Sequence, residues 1–279
     1  MRILILGGDG MLGHQLLRHF ASRHQTRVTL RQPVSAYASL GLFTPANSYG
    51  SIELTERDAL AQVLADFQPD AVINAAGIVK QRPTAEEAIP SIEINALLPH
   101  RVALLCGAIG ARLVHLSTDC VFSGRKGRYV ETDPSDADDL YGRTKYLGEV
   151  HAANAITLRT SMIGRELARK TGLLEWFLAQ RGTVRGFRRA IFSGFTTIEM
   201  ARIIEMLLTR FPDASGLYHV AAEPISKYDL LALVKAHLGL AIDLVPYDGF
   251  VCDRSLDATR FRTEFGYRPP SWQAMVAEL

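Results

Sequence analysis

The sequence predicts an α/β protein built on a doubly wound parallel sheet, and three observations carry that reading. Short apolar runs alternate with stretches of helical periodicity over the first 160 residues. The first run, "RILIL", is continuously apolar, as a strand covered on both faces must be. Glycines close that run at once and open the next helix. Strand and helix alternating in this way build parallel sheets with helices on both faces.

The elements follow in order. "RILIL" (2–6) is the first strand, and "MLGHQLLRHFASRH" (11–24) has apolar residues at helical spacing. "RVTL" (27–30) is the second strand and "SIEL" (51–54) the third. "RDALAQVLADF" (57–67) is a helix that Gln68-Pro69 ends. "DAVINAA" (70–76) is the fourth strand. A long helix follows over "SIEINALLPHRVALLCGAIG" (91–110), with Gly110 as its C-cap. "ARLVHLST" (111–118) and "AITLRT" (155–160) are the fifth and sixth strands, around a helix at "YGRTKYLGEVHAAN" (141–154). The rhythm then changes. Helices are expected at "GLLEWFLAQRG" (172–182), "TTIEMARIIEMLLTRF" (196–211) and "KYDLLALVKAHLG" (227–239), with one late strand at "GLYHVA" (216–221). "ATRFRTEFGYRPPSW" (258–272) reads as a polar, Pro-interrupted tail.

Bulk properties narrow the function classes. With 279 residues the chain can hold one large α/β unit and a smaller one. Net charge is +2 and no dense Lys/Arg run occurs, which argues against nucleic acid as a partner. No run reaches the ~18 apolar residues of a membrane span, and "MRILILGG" is too short for a signal peptide, so no membrane association is expected. Cys106, Cys120 and Cys252 fit neither a zinc spacing nor a disulfide framework, and the histidines form no ligand pattern. A cytoplasmic, metal-free protein is the expectation.

"ILGGDGMLGHQLL" places Gly8-x-Gly10-x-x-Gly13, and also Gly7-x-x-Gly10-x-x-Gly13, between the first strand and the first helix. That is the dinucleotide fingerprint in its required context. Early glycines allow a tight turn, Gly10 lets backbone approach a pyrophosphate, and Gly13 lets the helix pack on the sheet. The loop and the residues opening the helix, Gly7, Gly10, Met11, Leu12 and Gly13, form the expected cradle of a Rossmann-type unit. The alternative is a Gly-rich turn without a ligand. The second strand is followed by Arg31, where an acid would bond the ribose of NAD, so NADPH is the expected cofactor with NADH possible.

The fifth strand delivers Ser117, Thr118 and Asp119 to its C-terminal end, where open α/β sheets bind ligands. "DLYGRTK" then sets Tyr141 four residues before Lys145, on one helix face. A phenol is a poor acid or base near neutrality. A neighbouring ammonium is expected to lower its pKa and suit it to exchange a proton with a carbonyl or alcohol. Thr118 would polarise the carbonyl oxygen. The bland alternative for Tyr141 and Lys145 is a solvated helix face.

Glycine loop, "NAAG" (74–77), "STDCVF" (117–122) and "YGRTK" (141–145) together resemble the extended short-chain dehydrogenase/reductases, and within them the reductases of nucleotide-linked 4-keto-6-deoxy sugars. "LRTSMIG", "GLYHVA" and "DRSLDATRFR" extend the likeness over most of the chain. The resemblance implies Thr118, Tyr141 and Lys145 as catalytic residues, with Lys145 also on the nicotinamide ribose. It implies Asn74, Ala75, Ala76, Gly77 and Asn95 beside the cofactor. It implies residues 1–160 as the NADP-binding domain and 161–279 as mainly the substrate region, with a segment near 190–222 returning to the first unit. The implied partner is a nucleotide-sugar substrate, and a homodimer is possible. Two departures stand out: Cys120 and Met162 occupy places where the family has Tyr and Trp. Both flank the expected substrate pocket, with Ser117, Asp119 and Arg254. For a substrate diphosphate, Arg185, Arg188, Arg189, Lys227 and Arg254 are candidates. Trp176 and Phe177 could line the sugar pocket or belong to the core. Epimerase or dehydratase chemistry and a non-catalytic NADP-binding regulatory subunit are the alternatives. The missing Glu after Asp119 argues against a dehydratase.

Overall fold

A computed structural model describes residues 1–80, 86–168 and 170–279. Its centre is a parallel sheet that contains strands β1 (Arg2–Leu6), β2 (Gln25–Thr29), β3 (Ser48–Tyr49), β4 (Ala71–Asn74), β5 (Arg112–Thr118) and β6 (Ala155–Thr160). Across the sheet they run β3-β2-β1-β4-β5-β6, and the late strand Gly216–His219 pairs parallel with β6 at the far edge. The strand order reverses between β1 and β4, which opens a crevice above their C-terminal ends.

Alternation along β1 explains the layers. Ile3 and Ile5 face one side, against helix α1 (Met11–Phe20); Leu4 and Leu6 face the other, against α2 (Arg57–Phe67). A helix α3 (Ala88–Ser91) passes through one π-helical stretch, Ile92–Leu97, into α4 (Leu98–Ala108), which joins α2 on its side of the sheet. Gly110, φ +71°, follows as expected, and Ala111 N–H reaches back to the Cys106 carbonyl at 2.8 Å. Between β5 and β6 lies α5 (Leu140–Leu147). Further on come α6 (Leu173–Leu178), α7 (Thr197–Arg210) and α8 (Lys227–Leu238). α7 buries Met200, Ile203, Ile204 and Leu207 in the same cluster as α1. Beyond the sheet, Thr183–Phe187 pairs with Asp243–Tyr247, and Ala190–Phe192 with Ile225–Ser226 and Cys252–Asp253.

Four expectations are corrected. The third strand lies at Ser48–Tyr49, not 51–54, because Ser51 turns the chain at φ +58°. Ile52 N–H still bonds Leu30 O at 2.9 Å, outside regular strand geometry. α5 stops at Leu147, where Gly148 packs so closely that a β-carbon would lie 1.9 Å from Asn95 O. α6 covers only Leu173–Leu178 of its expected span. The polar tail is a packed element: helices Thr259–Phe265 and Trp272–Val276 bury Phe261, Phe265, Trp272 and Met275. Pro269 and Pro270 separate the two helices.

Candidate active site

The glycine loop joins β1 to α1 and is tied to β2 by Gly7 N–H to Thr29 Oγ1 (3.1 Å) and Gly8 N–H to Thr29 O (2.9 Å). Each glycine has its own reason. Gly7 sits at φ +83°, where a side chain is strained. A β-carbon on Gly13 would lie 2.1 Å from Gly7 O, so α1 can approach the loop only as glycine. Gly10 is different. Its backbone is extended (φ −74°, ψ 166°), and a β-carbon there would meet only Gly7 O, at 3.2 Å. The backbone at 10 suits any residue, and a side chain there would ask the Gly7 carbonyl to give by a few tenths of an ångström, far less than at Gly13. Among the described residues, no side chain caps α1 and its first turn carries no acid, which leaves the N–H groups that open the helix at Met11 and Leu12 without a side-chain acceptor. These residues fit a dinucleotide pyrophosphate.

At the end of β4, Asn74 is fully buried. Its amide faces His115 Nδ1 at 3.2 Å, and its Oδ1 accepts from Ala76 N–H at 3.3 Å. Ala75 closes the strand with its N–H on Leu6 O (3.1 Å), and Ala76 backs Gly7. Asn95 lies in the π-helical stretch and is spent inside the protein. It pairs with both backbone groups of Ile78 (2.9 and 3.0 Å) and reaches Thr144 Oγ1 at 3.4 Å. The geometry thus has Asn95 hold the Gly77–Ile78 turn against α5.

Thr118 ends β5. Its hydroxyl accepts from Cys120 N–H (3.1 Å) and lies 3.3 Å from Asp119 Oδ1. α5 delivers Tyr141 and Lys145, and Asp139 caps it by accepting from Gly142 N–H at 2.7 Å. Gly142 lets that turn press on the Asp119–Val121 turn, since a β-carbon would lie 2.3 Å from Cys120 O. The Thr118 hydroxyl lies beside the Tyr141 phenol and, like Cys120 and Asp119, bears on its charge. Lys145 is buried, and its Nζ donates to Leu116 O at 2.7 Å. Thr118 and the Lys145 ammonium, on Leu116 O, thus both lie at the C-terminal end of β5, with the Tyr141 phenol beside Thr118, Cys120 and Asp119.

The electrostatics correct one expectation. Burial, with Cys120 and Asp119 adjoining, pushes the Tyr141 phenol well above its ordinary value, and the Thr118 hydrogen bond only partly opposes this. Burial also lowers Lys145 to about 8, against the opposing pull of Glu149. The ammonium is turned to a strand carbonyl, so the phenol is held protonated rather than poised as tyrosinate. Burial lifts the Cys120 thiol to about 12, which leaves it a small apolar group and not a nucleophile. Asp119 is also raised by burial, with Arg254 and Lys227 opposing.

Ser117 is not in the crevice. Neighbours on a strand point to opposite faces, and Ser117 Oγ donates to Glu149 Oε1 at 2.7 Å. Glu149 is locked to Arg159 by two 2.7 Å bonds, and Arg159 Nη1 reaches His219 Nε2 at 3.1 Å. Burial and the Arg159 charge bring His219 down to about 4, so its neutral ring accepts from Arg159 and donates through Nδ1 to Tyr129 O at 2.9 Å. This buried chain fixes β5 against β6 directly beneath Thr118. Glu149→Ala would leave the Arg159 guanidinium buried without its carboxylate. It should cost about 3–5 kcal/mol in urea denaturation; a loss below about 1 kcal/mol would show that the pair is dispensable.

The other candidates separate by location. Arg254 donates to Phe122 O at 2.7 Å and, with Lys227, faces Asp119. Arg185 stacks on Tyr247, and Arg188 is paired with Asp248, so "RGFRRAIFSG" is engaged at the Thr183–Phe187 strand. Arg189 sits at the turn before Ala190. Met162 is part-buried against the core, Phe177 is core, and Trp176 is exposed. Sequence reasoning missed Asp139, whose place three residues before Gly142 is a legible cap signal, and Lys80, which bonds it at 2.5 Å.

The family model described as "RmlD substrate binding domain" matches residues 1–279. The chain belongs to the RmlD family. A dTDP-4-dehydrorhamnose reductase of Aggregatibacter actinomycetemcomitans is 25% identical, over 100% of this RmlD-family chain and 98% of that protein. Methionine adenosyltransferase 2 subunit beta of Rattus norvegicus is 29% identical, over 53% of this chain and 41% of its own length. Among solved structures, a dTDP-4-dehydrorhamnose reductase of Bacillus anthracis str. Ames in complex with NADP shares the fold. Its TM-score is 0.80 at 21% identity, covering 99% of this chain and 97% of that one. Among the described residues, no helix is long and apolar enough to cross a membrane.

Proposed function

We propose that this RmlD-family chain is an NADPH-dependent oxidoreductase that reduces the keto group of a nucleotide-linked 4-keto-6-deoxy sugar. The placement of Tyr141 beside Thr118, with Lys145 on Leu116 O at the same end of β5, carries this reading. A bound nicotinamide dinucleotide supplies hydride to the carbonyl carbon. Thr118 orients the carbonyl oxygen, and Tyr141 gives that oxygen its proton. A phenol whose pKa burial has raised begins protonated, as a donor in the reductive direction must. Lys145, held by Leu116 O at the end of β5, is assigned to the nicotinamide ribose. Residues 1–160 hold the dinucleotide, while 161–279 mainly supply the sugar-nucleotide side, where the charges of Arg254 and Lys227 act on Asp119. Cys120 and Met162 give that pocket a smaller and softer wall than Tyr and Trp would. The relatives named as dTDP-4-dehydrorhamnose reductases and the NADP-bound fold neighbour support the reading.

The deciding test is keto-sugar-dependent oxidation of NADPH by the purified protein. No turnover across a panel of nucleotide-linked 4-keto sugars would overturn the proposal. A non-catalytic dinucleotide-binding subunit is the second reading, kept open by the likeness over half the chain to a rat protein named as a subunit. Arg31 supplies a further prediction. It is exposed just past β2 and lines a cavity with Met11 and Tyr37. Arg31→Asp should shift the NADPH/NADH affinity ratio towards NADH by about tenfold or more, or ~1.4 kcal/mol. An unchanged ratio in paired titrations would remove Arg31 as a discriminator.

A further inference from the structure

His219 closes the late strand Gly216–His219 and is fully buried, yet the reaction proposed above gives it no task. Its ring is used at both ends. Nδ1 donates to Tyr129 O at 2.9 Å, so Nε2 carries the lone pair that accepts from Arg159 Nη1 at 3.1 Å. Its backbone N–H donates to Glu131 Oε1 at 2.9 Å. One residue thus ties the buried Glu149–Arg159 pair to the stretch 129–131.

That stretch leads to the substrate side. Tyr129 is buried, and its ring stacks on Phe122 with centroids 4.1 Å and planes 9° apart. The Phe122 carbonyl accepts from Arg254 Nε at 2.7 Å, and the Arg254 charge acts on Asp119, next to Thr118. The backbone is clamped at the same place. Tyr129 N–H donates to Ser255 O (2.9 Å), and Tyr129 O accepts a second bond, from Asp257 N–H (2.7 Å). Tyr129 Oη accepts from the N–H groups of Gly124 and Lys126, each at 3.1 Å. Arg254 thus rests on Phe122 and follows Ser255 in the fold, both are fixed to Tyr129, and Tyr129 is fixed by His219. Resting on the reductase reading above, we propose that His219 is a positioning residue for the sugar-nucleotide side of the site: through Tyr129 it sets the place of the Arg254 guanidinium, while touching no reacting atom. The bonds of His219 given above involve neither the glycine loop nor Asn74, so its effect falls on the sugar nucleotide and not on the dinucleotide.

Two amides separate the ends of the ring. Asparagine offers an N–H near the place of Nδ1 and keeps the bond to Tyr129 O; glutamine offers an oxygen near the place of Nε2 and keeps the bond to Arg159 but not the one to Tyr129. KM and kcat are measured for wild type, His219→Asn and His219→Gln with the nucleotide-linked 4-keto sugar of the panel that wild type reduces fastest. NADPH affinity is measured on the same samples by fluorescence titration. His219→Gln should raise the keto-sugar KM about tenfold, with kcat changed less and NADPH affinity within about twofold of wild type. His219→Asn should stay within about threefold of the wild-type KM. A histidine that merely fills the core predicts the same loss in both variants. A KM that rises as much in His219→Asn as in His219→Gln, or that stays within about twofold of wild type in both, overturns the inference. Glu131→Ala, which removes the acceptor of the His219 N–H, keeps the test open should neither amide variant fold. It should raise KM in the same sense by about threefold, and an unchanged KM there overturns the inference. A wild type that reduces no sugar of the panel overturns the reductase reading and this inference with it.

Discussion

Tyr141→Phe should lower keto-sugar-dependent NADPH oxidation by a factor of about 10² to 10⁴, the range for losing a positioned acid. Phenylalanine keeps the ring and loses only the phenol oxygen beside Thr118. The loss should fall on kcat, because the substitution leaves the glycine loop, Asn74 and the Lys145–Leu116 bond untouched. Dinucleotide affinity should therefore stay within about twofold of wild type. The split matters more than the size. A variant that failed only through misfolding would lose binding and turnover together, whereas loss of the proton donor removes an interaction made during reaction. Activity surviving the substitution within about twofold would take Tyr141 out of the mechanism.

Much of this site was legible because its parts are local. Glycine spacing after a strand, Tyr141 and Lys145 one helical turn apart, and Thr118 at a strand end can each be read within a few residues. What stayed hidden depends on distance or burial. Glu149, Arg159 and His219 lie on separate elements, and no short-range pattern announces that they meet beneath Thr118. The sign of the Tyr141 shift was misjudged for a related reason. Sequence spacing places an ammonium nearby but says nothing of the desolvation that outweighs it. Ser117 is another case. Strand alternation alone separates it from Thr118, so its turn away from the crevice could have been anticipated. The tail was misread because Pro269 and Pro270 dominate its appearance. The apolar pair Phe261 and Phe265, four residues apart, was the signal of a packed helix.

Gly10→Val should abolish dinucleotide binding while leaving the chain folded, and both halves of that outcome follow from the loop. The backbone at 10 is extended, in a region valine readily adopts, and the added β-carbon would meet only Gly7 O at 3.2 Å. The bonds that shape the loop, Gly10 N–H to Gly7 O (3.1 Å) and His14 N–H to Gly10 O (3.2 Å), use backbone atoms that valine retains. Gly13→Val is the contrasting case, because its β-carbon would fall 2.1 Å from Gly7 O and force α1 off the loop. At position 10 the side chain instead enters the space where the pyrophosphate would approach the helix N-terminus. Loss of that approach should raise the dissociation constant at least a hundredfold, or ~2.7 kcal/mol, in a fluorescence titration. The thermal midpoint should change little, and the measurement of fold and affinity on the same sample separates the two effects. Near-normal affinity in a folded Gly10→Val protein would mean that nothing passes over this residue, and the loop would be a turn whose glycines serve packing alone.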